Sequence, residues 1–474
     1  MRDRTSKEQR LSRRAVMVAA GVGIGTGAFP AHAQSSEGDL AQEIQALPNI
    51  SGHEHWGSIP IIGNCDGGFH ADLKAGIEPE NASLFDLLFE PYSGMNFQAM
   101  GVDPHADAKA QGLESMADWG RKDPQSAWQS AKRIYQPARS TGWFSCTAQG
   151  IQALYDVDLH ALFDDSSSNI EPVLRLDQAI RERYRSLVAW YKEAMQKLRI
   201  ETILRPVQLE FGYRQDNAGE RDILSPLLRI DQYCSFYQKR TSAIEFCVQH
   251  TGVDPKNADE FREFLSKCFE AADKTGFRGT KQLQAYSRPL NFERPKDSDV
   301  CFEATDDREK RRIFGNFVVY ECMELTAKRD WPHQVHVGTH NVPRSEPLAL
   351  EPLVRAFPQV RFVLLHCWPF IRESAYLAKS RPNVFLDTCW TPVLSPAIFR
   401  EFMDLTVGYL PDIKVCIGHD STSIEMAAGS AAVSRSILSQ VLEERIQSKF
   451  LTMDSAIALA KRYLADNARE VYRL

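Results

Sequence analysis

Two histidines one residue apart open the chemistry of this chain. In His53-Glu54-His55 the imidazoles share a parity. Alternate residues of an extended segment point the same way, so both rings can face one cation. Alone, such a pair is common on protein surfaces. Three further residues change its weight. His336 lies in Gln-Val-His-Val-Gly, His366 follows Arg-Phe-Val-Leu-Leu, and Asp420 follows Val-Cys-Ile-Gly-His. Each stands at the end of a short apolar run. Imidazole and carboxylate, with no cysteine among them, suit zinc, manganese or iron. Three or four protein ligands leave a coordination position open for chemistry.

These residues need a scaffold that brings run ends together. Apolar, β-prone runs over 49–53, 200–204, 227–230, 277–283, 334–338, 360–365, 384–386 and 413–417 read as strands. Helical patterns over 258–274, 306–329, 346–356, 371–380, 396–408 and 426–447 fill the gaps. Strands alternating with helices imply parallel β-α units with right-handed crossovers. Eight units predict an α/β fold, a (β/α)8 TIM barrel, whose active site sits at the C-terminal strand ends. An open doubly wound sheet is the runner-up, but no GxGxxG or P-loop follows any strand. Residues 57–195 form an anomalous gap after the first strand. Helical patches at 84–89, 127–135 and 150–161, and a long helix over 174–198, predict a mainly helical insertion on the catalytic rim. Residues 452–474 read as closing helices.

The first 33 residues read as a targeting segment. A basic stretch ending in Ser12-Arg13-Arg14 precedes an uncharged, Gly-rich run and the small-x-small sequence Ala31-His32-Ala33. This order resembles a twin-arginine export signal and predicts a periplasmic or secreted protein handled by that machinery. The net charge of −6, from 56 basic and 62 acidic residues, includes this basic segment, so the remainder (34–474) is more acidic still. That disfavours a nucleic-acid partner. No run is long and apolar enough for a membrane span. The ten cysteines show no CxxC pair or regular spacing, which argues against a disulfide framework.

The chain is similar to the amidohydrolase superfamily, in its amidohydrolase-related branch of metal-dependent TIM-barrel hydrolases. The likeness is carried by HEH (53–55), GFRGTKQLQAYSRPL (276–290), HVGTH (336–340), FVLLHCWPFIRESAYLA (362–378), NVFLDT (383–388), GHDSTSIEM (418–426) and YLADNAREVY (463–472). The resemblance implies that His53 and His55 hold the more buried metal, with His336 and His366 at a second. Asp420 would touch the first metal and act as general base and acid, with His366 beside it in catalysis. Lys281 falls where many relatives carry a carboxylated lysine bridging two ions. Left unmodified, it would pair with substrate charge in a one-metal enzyme. The implied reaction is attack of metal-activated hydroxide on an amide, ester or lactone carbonyl of a small-molecule substrate. Non-oxidative decarboxylases and uronate isomerases share a similar ligand set, and a non-catalytic exported metal-binding protein is a further alternative. His340, Arg288, Trp368 and Trp390 lie near strand ends and are the candidate substrate contacts. The sequence sets no oligomeric state.

Overall fold

All eight apolar runs become strands. The computed structural model describes residues 37–56, 82–213 and 219–474. The predicted export segment 1–33 and residues 57–81 of the insertion lie outside the described residues. The strands are β1 (Asn49–Ser51), β2 (Ile200–Val207), β3 (Leu224–Arg229), β4 (Thr280–Gln282), β5 (Pro332–Val337), β6 (Arg361–His366), β7 (Val384–Asp387) and β8 (Val415–Cys416). They form one sheet in sequence order, and every neighbouring pair is parallel. This is the predicted TIM barrel.

The seam between β8 and β1 closes through loop backbone rather than a ladder. Asp420 N–H donates to His53 O (2.9 Å) and His55 N–H to Ser421 O (3.1 Å). β8 is shorter than its apolar run because Ile417 N–H turns to Tyr463 O (3.0 Å) in the closing segment. That segment runs through helix Met453–Lys461, a π-turn over Arg462–Asp466 and helix Asn467–Tyr472. Its Ala468, Val471 and Tyr472 pack with Ile50, Leu204, Leu227, Val363 and Leu365 in the barrel interior. The closing helix therefore plugs the barrel and supports the site from below.

The described part of the insertion is helical and contains no strand. It differs from expectation in two places. The predicted long helix is broken into Glu171–Tyr184 and Leu187–Leu198. The break at Arg185-Ser186 lets Tyr184 and Tyr191 both be buried. The patch expected at 150–161 is likewise divided. Asp156 takes a left-handed conformation (φ 57°) at the end of helix Gly142–Tyr155, and a new helix starts at Leu159. Helix Gly142–Tyr155 lies directly on helix Ile424–Gln447. A Cβ at Gly150 would stand 1.8 Å from Glu425 O, and one at Gly429 would stand 1.6 Å from Cys146 O. Only glycine permits this approach. Glu425 then accepts from Tyr155 Oη (2.7 Å) and Tyr184 Oη (2.8 Å), which fixes the insertion to the barrel.

Candidate metal centre

Asp420 is the hub of the site. Its Oδ1 lies 3.2 Å from His55 Nε2 and 3.8 Å from His53 Nε2. Its Oδ2 lies 3.4 Å from His366 Nδ1. Two donor groups thus share one carboxylate. In each of the sets His53, His55, Asp420 and His366, Cys389, Asp420, the donor atoms lie within 4.8 Å of one another. Burial works against the Asp420 charge, yet His53, His55 and His366 hold its carboxyl well below the usual carboxylate range. An ionised oxygen donor beside imidazole nitrogens fits a divalent cation.

The ring of His53 is oriented by a chain of hydrogen bonds. Gln334 Nε2 donates to Gly52 O (2.6 Å) and Tyr472 Oη (2.7 Å). Gln334 Oε1 is therefore left as acceptor for His53 Nδ1 at 2.9 Å. With its proton on Nδ1, His53 presents a lone pair on Nε2, the arrangement a ligating histidine needs. Burial, then the nearby Lys281 charge, pushes the His53 pKa well down, so the ring is neutral. Between the two histidines, Glu54 points the other way. It accepts from Ser51 Oγ (2.7 Å) and Ser421 N–H (2.8 Å) and so ties β1 to the loop after β8.

Lys281 reaches the same centre, with Nζ 3.3 Å from His53 Nε2. Burial pushes its pKa down to about 8, against the pull of Asp420. His336 lies behind His366: its Nδ1 is 3.1 Å from His366 Nε2, and its Nε2 is 2.9 Å from Thr339 Oγ1. The close turn after β5 needs Gly338, at φ 74°, since a Cβ there would stand 2.0 Å from Trp368 O.

Simple alternation does not aim every ligand. His336 pairs in register with Leu365, whose side chain lies in the barrel interior. His366, the next residue, would then face outward. Its left-handed backbone (φ 65°), like that of Asp420 (φ 54°), turns the side chain into the site. Non-glycine residues pay strain in this region, and such strain concentrates at functional positions.

The structure thus brings together His53, His55, Lys281, His336, His366 and Asp420. Among the candidate substrate contacts, Trp390 lies close, its ring 6.0 Å from that of His366. Trp368 is half-buried against the core. His340 falls in the turn Thr339–Arg344 after β5, and its side chain lies outside the described residues. Arg288 does not join the site. Its guanidinium donates to Arg312 O (3.1 Å), Asn291 O (2.7 Å) and Pro289 O (3.2 Å), and it covers the Phe292 ring. His419 faces away, toward Asn49 Oδ1 (2.8 Å).

Three residues of the site escaped sequence reasoning. Gln334 precedes His336 by two, so strand parity could have found it. Cys389 lies just past the end of β7 with Sγ 3.3 Å from His366 Nδ1, which adds a thiol to a donor set expected to lack one. Burial raises that thiol's pKa. Tyr92 comes from the insertion and donates to Asp420 Oδ1 (2.9 Å). It stands 328 positions away in sequence, beyond any local pattern. Glu90 holds its segment by accepting from Tyr92 N–H (2.9 Å), Ser93 N–H (2.8 Å), Thr422 Oγ1 (2.7 Å) and the Trp143 indole.

Residues 270–407 match the amidohydrolase family model, a span that includes Lys281, His336 and His366. Protein fluG of Emericella nidulans is 24% identical over 366 residues, which cover 67% of this chain. The chain spans 40% of the length of that relative. Among solved structures, glucuronate isomerase from Caulobacter crescentus superposes with a TM-score of 0.70 at 17% identity, covering 92% of this chain and 93% of the other. Uronate isomerase from Thermotoga maritima gives 0.68 at 13% identity, covering 92% and 97%. At these identities the structures speak for the fold. The match of residues 270–407 is a likeness to the amidohydrolase family over that span. Among the described residues no helix is long and apolar enough to cross a membrane.

Proposed function

We propose that this protein is a metal-dependent hydrolase of amides, esters or lactones, with Asp420 as general base and acid. The observation that carries the reading is the shared carboxylate: one ionised Asp420 faces His53 and His55 through Oδ1 and His366 through Oδ2. His53, His55, His366 and Asp420 would hold a divalent cation, zinc before manganese or iron, which would supply Lewis acidity and lower the pKa of a bound water. Asp420 accepts the proton of the attacking water and returns it to the leaving nitrogen or oxygen. Tyr92 O–H steadies Oδ1 during this exchange. Gln334 keeps the His53 lone pair turned inward, and Trp390 and Tyr92, with rings 5.1 Å apart, limit water on that side. The pKa of Lys281, lowered to about 8 by burial, enlarges the small neutral fraction that carbon dioxide carboxylates, and a carboxylated Lys281 would be an oxygen donor for a second ion.

A second reading is an isomerase acting on a uronic acid, favoured by fold likeness that extends over 92% of the chain. Metal-loaded protein assayed on N-acyl amino acids, aryl esters, lactones and uronic acids separates the two. Hydrolysis abolished by Asp420→Asn is expected, with metal content unchanged. Turnover of uronic acids alone transfers the assignment to the isomerase. Metal analysis with mass spectrometry of Lys281 counts the ions and finds the carboxylate. We also propose that residues 1–33 direct export to the periplasm, which fractionation and N-terminal sequencing of the recovered protein test.

A further inference from the structure

A second feature opens beside the metal centre. A cavity of about 340 Å³ lies at the C-terminal ends of β2, β3 and β4, within the size range of small-molecule sites. Its wall carries Gln208, Arg229, Asp231, Gln232, Lys239 and Tyr286. Register places it against the reaction centre. Arg229 pairs with Lys281 on the neighbouring strand, and the side chain two residues earlier, Leu227, lies in the barrel interior. Arg229 therefore points inward, in the same layer as the lysine whose Nζ is 3.3 Å from His53. On the far wall, the Tyr286 ring stands 4.7 Å from that of His336.

The chemistry of the wall selects a ligand. Arg229 is 2% exposed, a fixed cation at the inner end of the cavity. Asp231 Oδ2 pairs with Arg229 Nη2 at 3.7 Å, and its Oδ1 accepts from Leu283 N–H at 2.6 Å. Lys239 adds a second cation at the mouth, so cations outnumber the one carboxylate on this wall. Both amide atoms of Gln232 are buried without a hydrogen-bond partner among the described residues, and buried polar groups of that kind call for a ligand or water. A guanidinium is the group that grips a carboxylate in a planar, two-pronged fashion.

We propose that this cavity is the acid-binding end of the substrate site, and that the substrate is a small carboxylate-bearing acyl compound. Its carboxylate sits on Arg229, its polar middle on Gln208 and Gln232, and its scissile carbonyl reaches toward Lys281, His336 and Asp420. The inference rests on the hydrolase reading for the reacting bond, but its test does not. Titration calorimetry of the metal-loaded protein with malonate, succinate and glutarate, and with the matching diamides, reads binding without turnover. At least one diacid is expected to bind saturably, its diamide at least tenfold more weakly. Arg229→Met should weaken the diacid tenfold or more with metal content unchanged. Arg229→Lys, which keeps the charge, covers a failure of the first variant to fold and should weaken binding by a smaller factor. Three silent diacids, equal binding of diacid and diamide, or affinity unchanged in either variant overturns the proposal. A protein that binds diacids through Arg229 yet hydrolyses nothing refutes the hydrolase reading alone. A hydrolase whose KM for N-acetylalanine is unmoved by Arg229→Lys refutes the acid pocket alone.

Discussion

The two halves of the barrel mouth are built to different standards. On the side of β1, β5, β6 and β8, donor atoms crowd around Asp420, and Gln334, Thr339, Tyr92 and Glu54 hold them or the adjoining backbone in place. On the side of β2, β3 and β4 the wall is equally polar, but it encloses open volume and leaves the Gln232 amide without a hydrogen-bond partner among the described residues. The contrast separates two tasks. Bond-breaking needs groups fixed before substrate arrives, because preorganised donors cost no rearrangement in the transition state. Recognition needs room and polar groups that substrate completes.

Substitutions in the crowded half should strike turnover or metal affinity, and the largest effect belongs to the hub. Asp420→Asn keeps the shape but removes the base, and turnover should fall on the order of 10²–10⁴-fold with metal retained. Steady-state kinetics beside metal analysis reads both quantities, and an active variant would dissolve the distinction between the halves. Gln334→Leu frees the His53 ring. Metal affinity should drop about 10–100-fold, the usual cost of losing such a support, as measured by competition with a chelator. Equal affinity would mean that the ring is held by other contacts. Tyr92→Phe removes one hydrogen bond to a charged oxygen, and turnover should fall roughly tenfold while KM stays near its original value. A change confined to KM would move Tyr92 to the recognition half.

The smallest effect is a tilt with pH. Asp387, at the end of β7, is fully buried, and its Oδ2 has no hydrogen-bond partner among the described residues. Burial pushes its carboxyl up to about 7. Between the ordinary range near ~4 and about 7, the folded protein therefore keeps a proton that the unfolded chain has released. The stability from this neutral acid is complete below that window and is lost as pH rises through about 7. Asparagine cannot titrate, so the Tm of metal-free Asp387→Asn should gain on the parent between pH 5 and pH 8. Parallel curves would assign the carboxyl an ordinary ionisation.

The same division governs what the sequence reveals. Most barrel strands are readable as local runs of apolar, β-branched residues, whereas β4 (Thr280–Gln282) is polar and is found chiefly from the helical pattern before it; run-end polarity finds His53, His336, His366 and Asp420. The direction in which His366 and Asp420 point is not readable, because it depends on left-handed backbone that alternation does not describe. Arg288 attracts notice as a lone arginine near a strand end, but the carbonyls of residues 289, 291 and 312 occupy it. Arg229 looks like an ordinary strand residue until register sets it beside Lys281. Tyr92 and the recognition cavity arise from segments distant in sequence, whose meeting no local period encodes.

The link from Tyr472 through Gln334 to His53 has a kinetic consequence. Its two contacts span 138 and 281 positions of sequence. Long-range contacts form late, once loop-closure entropy has been overcome. The imidazole therefore acquires its ligating tautomer only after β5 has joined β1 and the closing helix has docked. A cation meeting a half-folded chain would find histidines whose rings are not yet oriented. A cation at this centre would therefore meet the oriented His53 ring only in the folded barrel.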